Sequence, residues 1–164
     1  MRRLDIKQIT LALLISSLTL TLTGCSGAGP NASTRLIKQV TDGAEARITT
    51  DGNDLRMVNT LLVATEDGSA VVVGTIVNAS ETADTLLGIY AGGTQAKITG
   101  ETTLNQNQPI IFEGDSATTK GVFAGVGAEP GKHVTVTFAF ARAGKVSLDV
   151  IIRDKRDDYA KVTA

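Results

Sequence analysis

The chain has one cysteine, one histidine, two methionines and no tryptophan. A single cysteine excludes a disulfide within the chain, and one Cys with one His cannot build a zinc site in one copy. Four Phe and two Tyr are the only aromatics. They are too few for a base-stacking surface or an aromatic sugar platform. The formal charge is -1, so no basic excess points to nucleic acid. No Gly-x-Ser-x-Gly elbow is present, and no other feature points to hydrolase chemistry. What is there is a globular balance of 42% apolar and 20% charged residues over 164 positions. Thr occurs 22 times and Gly 17 times. Thr with Val favours strands, and Gly favours the turns between them.

The first segment reads as an address. Arg2, Arg3 and Lys7 precede an apolar run from Ile9 to Leu22. That is the layout of a secretory signal peptide. Its 14 residues fall short of the roughly 20 that cross a bilayer as a helix. The run ends in Leu22-Thr23-Gly24-Cys25, which resembles the lipobox of bacterial lipoproteins. In that family the Cys thiol receives a diacylglyceryl group, and cleavage before it makes the Cys the first mature residue. The resemblance implies lipidation at Cys25 and a place on the extracytoplasmic face of the cell membrane. Two acyl chains anchor stably where one is marginal, at about 0.8 kcal/mol per buried CH₂. The alternative is an ordinary signal peptide with an incidental Cys. Without residues 1–24 the chain carries 13 Lys+Arg against 16 Asp+Glu, a net -3.

Residues 26–34 are small and polar, the composition of a flexible linker. Leu36, Ile37 and Val40 suggest a turn of helix that Asp42-Gly43 stops, an irregular lead-in. Beyond it the apolar period becomes two. Val134, Val136, Phe138 and Phe140 share one face, as do Val146, Leu148, Val150 and Ile152. Arg142-Ala143-Gly144-Lys145 joins them as a hairpin turn. Upstream strands are expected at Ala46–Thr49, Leu55–Thr65, Ala70–Asn78, Asp84–Tyr90, Gln95–Thr99, Pro109–Phe112 and Gly121–Gly125. The run Val71–Val73 is apolar on both faces and reads as a central strand. About seven to nine short strands predict an all-β, immunoglobulin-like sandwich. The expected organisation is a signal peptide over 1–24, a lipidated Cys with linker and lead-in over 25–45, a sandwich over 46–153, and a charged tail over 154–164.

Three segments carry a further likeness: Gly74–Asn78 with Ala83–Gly88, Gly131–Phe138, and Ala143–Val150. Together they resemble the PCu(A)C periplasmic copper chaperones, and more closely a lipoprotein branch of that fold in actinobacteria. The resemblance covers roughly 46–153 and implies a cupredoxin-like sandwich. In the chaperones, Cu(I) is held by His and Met from a strand after the Asp-x-Leu segment, from a Met-x-Met loop, and from a Gly-x-His-x-Met motif. Here Gln95–Thr99 and Thr119–Phe123 hold no His or Met, and no Met-x-Met exists. The fold likeness survives and the copper motif does not.

The remaining candidates have plain alternatives. His133 opens a strand and reads as an exposed edge histidine rather than a ligand or base. Met57 reads as a core filler. Asp51-Gly52-Asn53-Asp54 lacks the later Glu of a calcium loop and reads as a turn. Gly88–Gly93 and Gly121–Gly127 open no helix, so neither is a phosphate cradle. Asn78-Ala79-Ser80 matches a glycosylation pattern by letters only. Asp154–Asp158 reads as a solvated tail or a docking segment. The expectation is a non-enzymatic, lipid-anchored binding or assembly module of the cell envelope. It would have no catalytic residues, metal site or cofactor, and an envelope protein of unknown identity as partner. The alternative is a copper-handling, chaperone-like lipoprotein.

Overall fold

The structure is a computed structural model and describes residues 42–164. The expected signal peptide, the lipobox, the linker and most of the lead-in lie outside the described residues. Eleven strand segments follow in order: β1 (Ala44–Ile48), β2 (Leu55–Ala64), β3 (Ala70–Asn78), β4 (Asp84–Ala91), β5 (Thr94–Gln95), β6 (Lys97–Gly100), β7 (Thr103–Leu104), β8 (Ile110–Ile111), β9 (Thr119–Phe123), β10 (His133–Phe140) and β11 (Lys145–Arg153). Eight of them are four residues or longer, within the expected range.

One layer holds β1, β2, β3, β9 and β6; the other holds β5, β4, β10 and β11. A short parallel contact joins them, Ile152 to Leu62 and Arg153 to Val63. On the far side only buried Ala96 separates β5 from β6. Its N–H donates to the Ile89 carbonyl at 2.9 Å. The single strand expected over Gln95–Thr99 is therefore broken at Ala96, where the chain passes from one layer to the other. The strand path closes on itself at that point, and the fold is a β-sandwich closed along its edges.

The β10–β11 hairpin has the expected faces. Val136, Phe138, Val150 and Leu148 are buried, while Thr135 and Asp149 pair on the outer side. Phe138 meets Phe112 edge to face, with ring centroids 6.5 Å apart. β2 carries a register shift between Val58 and Leu61, with Asn59 at φ 51°. Gly74 of β3 lies against that bulge at φ 143°, and a Cβ there would stand 3.1 Å from the Thr60 Cα. Only glycine fits so close a backbone approach.

Two buried polar side chains tie turns to strands. Asn78 is fully buried; its amide donates to the Thr82 carbonyl at 2.9 Å and the Leu104 carbonyl at 2.8 Å. Buried Asp84 accepts the N–H groups of Thr85 at 2.7 Å, Arg142 at 2.9 Å and Ala143 at 2.9 Å. It thereby ties the start of β4 to the β10–β11 turn.

Two boundaries differ from expectation. Pairing starts at Ala44, inside the expected lead-in, where it faces Thr60. The C-terminal tail is a strap. It forms a 3-10 turn over Asp157–Tyr159, then buries Val162 against Leu61, Val63, Val71 and Val73. The Lys120 ammonium donates to the Thr163 hydroxyl at 2.9 Å. This cover explains why Val71–Val73 is apolar on both faces.

Candidate functional site

Leu22, Thr23, Gly24 and Cys25, the expected lipobox, lie outside the described residues. The two stretches in which the chaperone resemblance implies ligand positions, 95–99 and 119–123, do meet: β6 pairs with β9, Lys97 opposite Val122 and Thr99 opposite Lys120. Sequence alternation puts these four on the outer face, since Gly121 and Phe123 are buried inward. Two ammonium groups, a hydroxyl and a valine offer Cu(I) no soft donor.

The remaining donors do not converge. Met57 is 2% exposed within the core. His133 is exposed, with Nδ1 3.2 Å from the Asp149 carboxylate. Along β2, Met57 stands five residues from Leu62, whose neighbour Ile152 adjoins the pairing partner of His133. Five residues of strand separate them by about 16 Å. Among the described residues no group of three or more His, Cys, Asp or Glu is placed to hold a metal. Among the described residues no set of donors comes together that fits a Cu(I) site of the chaperone kind.

The Asp51–Asp54 segment is a turn, as expected. The Asp54 carboxylate accepts paired hydrogen bonds from Arg47 at 2.9 and 3.0 Å and from Arg56 at 3.2 and 2.9 Å. Those guanidinium groups, Arg47 first, hold its carboxyl well below the usual carboxylate range. Asn53 turns its amide back to the Thr50 carbonyl at 2.9 Å.

The feature that sequence reasoning missed is a cleft of about 440 Å³ at one end of the sandwich. Leu62, Ala70, Phe123 and Ile152 form its floor, and none is more than 8% exposed. Its lip is the loop after β9, from Ala124 to Lys132, with Thr94 and His133 beside it. The loop is held from below. Gly127 and Ala128 donate to the Gly68 carbonyl at 3.0 and 3.4 Å, and Gly125 donates to the Ser69 hydroxyl at 3.2 Å. Asp67 organises that turn by accepting from the Thr65 hydroxyl at 2.6 Å, the Ser69 hydroxyl at 3.0 Å and the Ser69 N–H at 3.2 Å. The Thr65 bond leads in lowering its carboxyl below the ordinary range. Gly125 and Gly127, at φ 59° and 62°, leave Val126 at the tip, 41% exposed. Lys132 and Glu129 form an exposed ion pair of 2.6 Å on the lip. The glycine run was the only sequence signal for this site. Its floor comes from four strands, of which only β2 and β3 are neighbours in the chain, so no local pattern joins it.

The fold is that of the PCuAC domains. The apo PCuAC domain from PmoF1 superimposes with a TM-score of 0.55 at 24% identity, covering 68% of this chain and 99% of that one. The copper-bound PCuAC domain from PmoF2 gives 0.56 at 15% identity, covering 68% and 98%. The apo form of the PmoF2 domain gives 0.52 at 14% identity, covering 70% and 96%. No family model and no curated protein matches the chain. At these identities the likeness is one of fold.

Proposed function

We propose that this chain is a lipid-anchored, extracytoplasmic binding module of the bacterial envelope, built on a PCuAC-like sandwich that does not carry the copper site. The observation behind the reading is the end cleft: a preformed cavity with an apolar floor, in the size range of small-ligand sites, roughly 300–1,000 Å³. No nucleophile paired with a base lines it, so binding rather than catalysis is the chemistry it supports. The anchor rests on Leu22-Thr23-Gly24-Cys25 closing a charged-then-apolar leader. Metabolic labelling with palmitate tests it: the wild-type chain should be labelled and membrane-bound. Cys25→Ala should be unlabelled and uncleaved by the lipoprotein peptidase. Equal labelling of the two would refute the anchor.

Copper handling is the second reading, favoured by the fold neighbours. One of them is a copper-bound domain. In this chain it would need donors pooled from two copies, Met57 and His133 of each.

A further inference from the structure

We infer that the C-terminal strap and the entry into β1 are two halves of one clasp, closed on the Asn59 bulge of β2, so that opening either half loosens the other. The device goes beyond the binding role proposed above and does not depend on it.

Four observations carry it. The first is the seat of the entering chain. Asn59 stands in the register shift of β2 at φ 51°. Its side-chain oxygen accepts the Gly43 N–H at 3.1 Å. Gly43 is buried and backed hard against the bulge. A Cβ there would stand 2.6 Å from the Asn59 Cα and closer still to its carbonyl carbon. Only glycine lets the chain seat so deeply. The second is the ion pair of Asp42 with Arg153 at 3.2 Å, at the point where β11 ends and the strap begins. The pair is exposed and contributes little energy, but it sets the two halves side by side.

The third observation is Tyr159. Its ring packs on the aliphatic cluster of Leu61, Val63, Val71 and Val73, close to the bulge. Burial pushes its hydroxyl above the ordinary range, Asp42 and Asp158 add to the rise, and Arg153 and a hydrogen bond from the Asn59 side chain oppose it. One strap side chain therefore lies over both the entry and the bulge.

The fourth is that each half is thinly held by itself. Among the described residues β1 pairs with β2 alone, and irregularly between Ala44 and Ala46. The backbone bonds of the strap stay inside it: Arg156 to Asp154, Tyr159 to Arg156, Ala160 to Asp157 and Val162 to Tyr159, at 2.9–3.1 Å. Val162, Tyr159 and the Lys120–Thr163 bond hold it to the sheet. Segments so held open locally, well below the cost of global unfolding. With the strap lifted, water reaches the Gly43–Asn59 bond and competes for it. With the entry lifted, Tyr159 loses part of its cover. Such coupling is reciprocal. A partner that takes up the tail loosens the entry strand, and a pull on the entry strand frees the tail.

Amide hydrogen exchange of the full chain in detergent tests the clasp. Val162→Asp lifts the strap. Exchange at residues 43–48 should then rise at least about fivefold and stay faster than at residues 136–140, so that local opening carries it. Gly43→Ala, whose methyl meets the Asn59 backbone, should raise exchange at residues 159–163 by a similar factor. Should Val162→Asp fail to fold, Tyr159→Phe keeps the ring on the sheet and should raise exchange at 43–48 about twofold or more. Asn59→Gly keeps the positive φ accessible and removes the junction. In that background Val162→Asp should add less than about twofold at 43–48. Unchanged exchange at 43–48 in the strap variants, unchanged exchange at 159–163 in Gly43→Ala, acceleration only to the rate of 136–140, or full cross-talk remaining in Asn59→Gly would overturn the inference.

Discussion

Removing the Phe138 ring tests how the two layers cohere. Phe138 is fully buried between Val136 and Phe140 along β10, and it meets Phe112 across the core. Phe138→Ala deletes a whole aromatic side chain from a closed sandwich that can collapse little around the void. The cost should be roughly 3–5 kcal/mol. The lost edge-to-face contact, worth about 0.5–1.5 kcal/mol, pushes it to the upper part of that range. For a domain of this size the urea slope is about 2 kcal/mol per molar, so the midpoint should fall by about 2 M. The assay is urea unfolding of residues 35–164 followed by circular dichroism, which should show strand and little helix. Thr137→Ala on the outer face removes a hydroxyl that bonds only the exposed Ser147 hydroxyl at 2.8 Å. It should move the midpoint by less than about 0.3 M. An unchanged midpoint for Phe138→Ala, or equal losses for both variants, would refute the face assignment and the packing argument with it.

Two further outcomes follow from the same structure. Val162→Asp places a carboxylate against Leu61, Val63, Val71 and Val73. It should cost at least about 2 kcal/mol in urea unfolding, whereas a merely solvated tail would tolerate it. The Asp67 carboxyl titrates lower in the fold than in the unfolded chain, chiefly through the Thr65 hydroxyl. Its contribution is therefore present above the unfolded value, about pH 4, and is lost as pH falls through the folded value. Asp67→Asn should flatten the acid limb of the stability profile below about pH 4, read as thermal midpoints from pH 7 to 2.

The legible parts of the fold are those with a long period. β10 and β11 alternate strictly over eight and nine residues, so both faces and the turn could be assigned. β5 and β7 are two residues each, too short for any period to emerge. The break at Ala96 was hidden because Gln95–Thr99 alternates as one strand would. Val162 is a lone apolar residue after a charged run, and its burial depends on an aliphatic surface about ninety residues upstream. The missing copper donors were readable directly, since absence of His and Met needs no geometry. The cleft was not, because Leu62, Ala70, Phe123 and Ile152 stand on β2, β3, β9 and β11 and come together only through strand pairing.

The central claim is that a PCuAC-like fold here works without copper. Cu(I) competition against bathocuproine with residues 35–164 tests it most directly. Cu(I) binds tightly where thiolate, thioether or imidazole donors converge. This domain offers Met57 inside the core and His133 paired to Asp149 at the surface. The account predicts that the monomeric protein leaves the coloured chelate intact at equimolar concentration. Withdrawal of one equivalent of Cu(I), abolished by Met57→Leu or His133→Ala, would contradict it and establish the copper reading instead.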